Sequence, residues 1–188
     1  MKKLILTLFL GLLAVSPGLA DKKKDSKSSG GKTAVKDTTD VVWYSYDEGL
    51  KLARETQRPI MVNFTSQSCG YCKRMNRTTF KDSSVVYILN NDFVAVKVDG
   101  NSWRELDIDG YKISERNLAQ AEYAVRGYPT YWFLKAGAEK IGAAPGYRAA
   151  GEFMTILCYI RDEAYGSMTF AEFVKNGGCD GSPPGKKN

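Results

Sequence analysis

The stretch Ile60-Met61-Val62-Asn63-Phe64-Thr65-Ser66-Gln67-Ser68-Cys69-Gly70-Tyr71-Cys72-Lys73 decides how this chain is read. Its opening residues follow Pro59 and are apolar apart from Asn63, the pattern of a buried central strand entered from a turn. A Cys-x-x-Cys comes next and opens a helical run through Lys73, Arg74 and Met75. Two cysteines at this spacing could knuckle a metal, attach a haem or cycle between dithiol and disulfide. Arg126-Gly127-Tyr128-Pro129-Thr130, much further along, leads into another apolar run, Tyr131-Trp132-Phe133-Leu134. A proline at that strand entry, together with the strand–Cys-x-x-Cys–helix junction, points to a dithiol that exchanges with disulfides in other proteins.

Composition narrows the alternatives. The chain contains no histidine, which removes Cys-x-x-Cys-His haem attachment, Cys₂His₂ zinc and Cys–His nucleophilic sites. A Cys₄ zinc site from Cys69, Cys72, Cys158 and Cys179 stays formally open, but the second pair lacks knuckle spacing and no metal is expected. Four cysteines permit three pairings. In an oxidising compartment a structural Cys158–Cys179 clamp pinning the tail is the expectation, against a second redox pair that relays electrons to Cys69–Cys72.

Exchange needs a thiolate near neutral pH, whereas a free cysteine has a pKa of about 8.5. A cysteine at a helix N-terminus faces unpaired backbone N–H groups and the positive end of the dipole, which favour the anion. Cys69 is therefore the expected exposed attacker. Cys72, one turn on, is placed to attack the mixed disulfide and release the partner, and the two-residue spacing suits a disulfide between them. Gly70 and Tyr71 tune the couple. Lys73-Arg74 reads as solvated helix surface that adds thiolate character, and Trp43, Trp132 and Phe133 read as core.

The flanks say where such a site works. Met1-Lys2-Lys3 is a basic n-region, Leu4–Val15 an apolar h-region, and Ser16-Pro17-Gly18-Leu19-Ala20 a small-residue cleavage signal. The apolar run is shorter than the ~20 residues that span a bilayer, so residues 1–20 are expected to be a cleaved signal peptide and the destination periplasmic. Lys2 and Lys3 leave with it, taking the net charge from +6 to +4. Residues 21–40 are Lys, Asp, Ser, Gly and Thr with almost nothing apolar, and predict a disordered charged linker. Residues 41–175 form the domain, and the Gly-, Pro- and Lys-rich stretch 176–188 predicts a flexible tail. No Lys/Arg stripe interleaves with aromatics, so no nucleic-acid partner is expected.

Within the domain, Val41–Tyr46 predicts a first strand or an extended lead-in. Asp47 is placed to cap a helix through Thr56 with Leu50 and Ala53 inward. Asp82 or Ser83 caps another carrying Val85, Val86, Ile88 and Leu89, and Phe93–Val98 reads as a second buried strand. Asn101–Arg116 is polar and reads as an irregular insertion rather than core. A short helix is expected over Leu118–Val125, a strand after Pro129, and a fourth strand around Lys140–Ala143. Glu152–Ala164 is the closing helix, and Phe170–Val174 a last turn or two. Alternating strands and helices with a late hairpin predict an α/β sandwich on a mixed sheet.

The order of these elements, the Cys69–Cys72 junction and Val125-Arg126-Gly127-Tyr128-Pro129-Thr130 together resemble the thioredoxin superfamily, and within it the exported thioredoxin-like proteins of the SoxW type. Ser66–Lys73, the Pro145-Gly146-Tyr147 turn, and Tyr165 followed by Phe170 and Phe173 fit that branch. The resemblance covers about residues 41–175 and implies a thioredoxin fold, a central mixed β-sheet flanked by helices, with an insertion before the cis-proline strand. It implies that Pro129 is cis and that the backbone at Tyr128 pairs with an extended substrate segment. It also implies an exported thiol–disulfide oxidoreductase that acts on disulfides of exported proteins, chiefly as a reductant. Such an enzyme needs no cofactor beyond its redox-active disulfide, draws on a membrane thiol donor and works as a monomer.

Two positions depart from the pattern: Asn63 stands where central strands of thioredoxins often carry a buried acid, and Ser68 where a Trp usually precedes the first cysteine. The Cys-Gly-Tyr-Cys tetrad is shared with periplasmic disulfide isomerases. The rival readings are an isomerase or oxidant, and a non-catalytic thioredoxin-fold binding module or metal chaperone.

Overall fold

The computed structural model describes residues 39–179. The signal peptide expected at 1–20, the linker except for its last two residues, and the tail beyond 179 lie outside the described residues.

Helix α1, Tyr46–Thr56, starts where Glu48 reaches back to accept the Ser45 N–H at 3.2 Å. The capping residue is therefore Ser45, not Asp47, because the chain is still extended at 45 and turns helical at Tyr46. Tyr46, Gly49, Leu50 and Ala53 form the buried face. Gly49 lets the helix lie close on the sheet: a Cβ there would come within 2.2 Å of a Val96 methyl. Strand β1, Ile60–Thr65, is buried along almost its whole length. It leads into α2, Gly70–Arg77, then α3, Ser83–Asp92, whose N-cap Asp82 accepts from the N–H groups of Ser84 and Val85.

Strand β2, Val94–Asp99, returns parallel to β1; β5, Thr130–Leu134, runs antiparallel on the other side, and β6, Lys140–Pro145, closes the order β2-β1-β5-β6. Helix α5, Ala150–Arg161, and α6, Phe170–Lys175, complete the domain. Side chains alternate across the sheet. Met61, Ala95, Tyr131 and Phe133 pack with Val85, Leu89, Phe153 and Leu157 of α3 and α5. Ile60, Val62, Phe64, Val94, Val96 and Val98 pack with Leu50 and Ala53 of α1 on the opposite face.

Several expectations are corrected. The lead-in before α1 makes one parallel bridge, Tyr44 to Val96, rather than a full strand. It is tied down from residue 40: Asn90 accepts from the Val42 N–H and donates to the Asp40 carbonyl, and Asp40 pairs with Lys81. The linker boundary at 40 therefore falls inside ordered chain.

The polar stretch 101–116 is an ordered hairpin of β3, Glu105–Ile108, and β4, Tyr111–Ser114. Polar residues fill its outer face while Leu106 and Ile113 bury inward against the α1 layer. It runs into a single helical turn, α4, Glu115–Asn117, and then a wider turn in which the Tyr123 N–H donates to the Leu118 carbonyl. The tail expected to be loose from 176 is held through 179, since Cys158 and Cys179 form a disulfide with Cα atoms 5.6 Å apart and the Gly178 N–H donates to Phe173.

Two predictions follow from this packing. Opening the Cys158–Cys179 ring by Cys179→Ser is expected to cost about 3 kcal/mol, the loop-closure value for a ring of roughly 20 residues, read as a lowered urea midpoint. Under α1, the hydroxyls of Tyr46 and Tyr123 share a hydrogen bond of 2.5 Å. Burial raises both phenols, and that of Tyr131, above their ordinary value of 10.0. The fold keeps protons that the unfolded chain releases, so stability is full below pH 10 and falls as pH rises beyond it. Urea denaturation at pH 8 and pH 11 should show that loss, with a shallower slope in a Tyr46→Phe/Tyr123→Phe variant.

Candidate functional site

Three segments meet at one end of the sheet because β1 is paired on both edges. Thr65 is in register with Asp99 of β2, and Phe64 with Thr130 of β5. The chain leaving β1, the chain leaving β2 and the chain entering β5 therefore emerge side by side.

The first of these carries the cysteines. Cys69 is the N-cap of α2, half-exposed, and its sulfur accepts the Cys72 N–H at 3.0 Å. Cys72 lies one turn inside the helix and is only 3% exposed. The two are joined as a disulfide with Cα atoms 5.2 Å apart. The four cysteines thus form two separate disulfides rather than one cluster. Among the described residues no group of three or more His, Cys, Asp or Glu is gathered to hold a metal ion. Gly70 is open, and Tyr71 projects into solvent at 61% exposure.

The second and third segments frame the pair. The Tyr128–Pro129 peptide is cis. Tyr128 lays its ring against Gly100 just past β2, where a Cβ would come within 2.1 Å of the Tyr128 hydroxyl. Burial, with a smaller contribution from Asp99, raises this phenol. The Pro129 carbonyl accepts the Gly146 N–H at 2.8 Å, fastening the turn before α5 to the same end.

Residues to which sequence reasoning gave no bracing role hold the cysteine loop in place. The Ser66 hydroxyl, buried, is bonded to Asn101 at 2.8 Å and to Ser68 at 3.0 Å, and its carbonyl accepts the Cys69 N–H. Ser68 is thus a loop brace. The signal available was the Ser-x-Ser spacing before Cys69; its partner Asn101, 35 residues away, had none.

Behind Cys72 lies a polar cleft of about 800 Å³, lined also by Trp43, Thr65, Lys73, Asn76, Lys97 and Asp99. Lys97 rests its ammonium 4.5 Å over the Trp43 ring, and burial lowers its pKa from the ordinary lysine value. Glu115, nearly buried, closes the rim in a 2.8 Å pair with Arg104. Asn63 is buried in register between Lys97 and Tyr131, and its Oδ1 has no hydrogen-bond partner among the described residues. Trp43, expected as core, packs edge-on against Phe80 and also walls this cleft.

A helix-capping disulfide at the end of the central strand of a β2-β1-β5-β6 sheet, with helices on both faces, is the arrangement of the thioredoxin fold. The chain belongs to the family of the thioredoxin-like domain, whose model matches residues 46–161. A thioredoxin from Thermus thermophilus is 35% identical with a TM-score of 0.53, covering 64% of this chain and 87% of that one. A putative disulphide-isomerase from Bacteroides thetaiotaomicron is 26% identical with a TM-score of 0.51, covering 69% and 93%. The thiol:disulfide interchange protein DsbD of Campylobacter jejuni is 32% identical over 107 residues, 52% of this chain and 16% of that protein. The chain spans between 9% and 57% of the length of the curated relatives it matches.

The contact between Gly100 and Tyr128 can be tested directly. Gly100→Ala should displace the Tyr128 ring and cost about 1–3 kcal/mol. Gly70→Ala, where an added Cβ meets nothing within 4 Å, should be nearly neutral. Urea denaturation of the oxidised protein separates the two.

Proposed function

We propose that this chain is an exported thiol–disulfide oxidoreductase of the SoxW type, working chiefly as a reductant of disulfides in exported proteins. The observation that carries the reading is the asymmetric dithiol. Cys69 is half-exposed at a helix N-cap with an N–H aimed at its sulfur, Cys72 is buried one turn on, and a cis Tyr128–Pro129 peptide lies at the same end of the sheet. The similarity to thioredoxin, to DsbD and to a putative disulphide-isomerase supports the same chemistry in general terms.

In the reduced protein the Cys69 thiolate attacks one sulfur of a substrate disulfide. That S–S bond breaks, and the departing substrate sulfur takes up a proton. Cys72, losing its proton, attacks the Cys69 sulfur of the mixed disulfide and expels the second substrate thiol. Two electrons and two protons pass to the substrate, and the Cys69–Cys72 disulfide seen in the structure is left. The Cys72 N–H stabilises the Cys69 anion that begins this sequence. The polar cleft behind Cys72 admits water to the otherwise buried sulfur. Tyr128 and Pro129 supply a backbone edge for an extended substrate segment, and a membrane thiol donor restores the dithiol.

With dithiothreitol as electron source, the protein should precipitate insulin by cleaving its disulfides. Cys69→Ser should abolish this, and full activity in that variant sinks the mechanism. Cys72→Ser should accumulate mixed disulfides on Cys69. Direction is read from the reduction potential of the couple: a value near about −270 mV fits a reductant, whereas one near about −120 mV overturns that part of the reading and makes the protein an oxidant.

A further inference from the structure

Helix α2 carries Lys73, Arg74 and Arg77 on exposed positions, and residues 66–81 contain no acid at all. Elsewhere the surface cations Arg54, Lys81, Arg104, Lys112, Lys135 and Arg161 are each ion-paired. Lys73, Arg74 and Arg77 have no carboxylate partner among the described residues. Other cations, Lys51 and Lys175 among them, also lack an ion pair among the described residues, but these three lie together on the helix that carries the dithiol.

One of them is also held in a defined orientation. The Arg74 guanidinium lies over the Tyr147 ring, 4.7 Å from its centroid, and that ring is 6.1 Å from Tyr71, one of the two residues between the cysteines. Tyr71 and Arg74 are three apart on α2 and share a face. Tyr147 is placed from the other side by three bonds: Gly146 N–H to the Pro129 carbonyl at 2.8 Å, Thr79 hydroxyl to the Arg148 carbonyl at 2.7 Å, and Arg148 N–H to the Met75 sulfur at 3.4 Å. The stack therefore bridges the dithiol loop and the turn that borders the cis-proline. No hydrogen bond within the described residues occupies the Arg74 guanidinium, and its planar N–H fork matches a carboxylate with two parallel hydrogen bonds.

We propose that Tyr71, Arg74 and Tyr147 form a specificity clamp that selects protein disulfides whose cysteine is flanked by an Asp or Glu. The clamp rests on the exchange activity proposed above. The substrate carboxylate meets the guanidinium edge, and Lys73 and Arg77 add a field that draws in acidic segments. The apolar part of the same segment lies along the exposed Tyr71 ring.

The test uses the full reduced chain and two cystine-linked peptides that differ only in carrying Glu or Lys beside the cysteine. Hydroxyethyl disulfide, small and uncharged, serves as reference, and each peptide rate is divided by the same variant's rate with it. Wild type should cleave the Glu peptide roughly fivefold faster than the Lys peptide, the upper range for an exposed ion pair. That ratio should shrink as ionic strength rises from 0.05 to 0.5 M. Arg74→Glu should reverse the preference, and Arg74→Lys and Tyr147→Ala should each reduce it, because the first keeps the charge without the planar edge and the second removes its support. A ratio near one in wild type overturns the clamp, as does a ratio unchanged in Arg74→Glu. If wild type fails to react with hydroxyethyl disulfide itself, it is the exchange activity that falls.

Discussion

Strand β1 is hydrogen-bonded along both edges and packed on both faces, and the site takes its position from that constraint. A slip of one residue would send Asn63 into the apolar layer under α1 and expose Ile60, Val62 and Phe64 to the opposite side. With the register held, Thr65 stands beside Asp99 and Phe64 beside Thr130. The cysteine loop, Gly100 and the cis-proline must then leave the sheet together, although 60 residues of chain separate Cys69 from Pro129.

What β1 brings together, small residues and single hydrogen bonds keep in place. Ser66 and Ser68 occupy the approach to Cys69 and are braced by Asn101 from the neighbouring connection. Gly100 leaves room for Tyr128, and Gly146 bonds back to Pro129. Each bond is modest by itself, but the set leaves the Cys69 sulfur at the surface and the Cys72 sulfur inside. That difference in exposure gives one sulfur the role of attacker and the other that of resolver. Lys97 from β2 and the buried Glu115, paired with Arg104, line the polar cleft behind Cys72, and the position on β1 in register with Lys97 is Asn63 rather than an acid.

Much of the fold was legible because periodicity and punctuation agree. The apolar runs at 60–64, 93–98 and 131–134 are β1, β2 and β5 to within a residue, and Asp82 caps α3 as its position before an apolar helical face predicts. The misreadings share a cause. At 101–116 the alternation is real but diluted: only Leu106 and Ile113 are buried apolar residues, and charged partners on the outer strand faces hide a two-residue signal. Asp47 and Ser45 are equally good caps by propensity, so the choice depended on which residue was still extended. The linker and tail boundaries moved because Asn90 and Cys158, distant in sequence, capture Asp40 and Cys179.

The site divides in the same way. The sequence alone determined the chemistry available: two cysteines one helical turn apart after a buried strand, no histidine for haem or mixed zinc ligation, and a proline at the entry to a second strand. Those are local properties of residue type and spacing. The helix position also marked Cys69 as the exposed sulfur, but only the tertiary structure decided which loops brace it, that Arg74 lies over Tyr147 beside Tyr71, and that Lys97 lines the cleft behind Cys72. Such contacts join elements that no local pattern relates, and strand register and close packing bring them together.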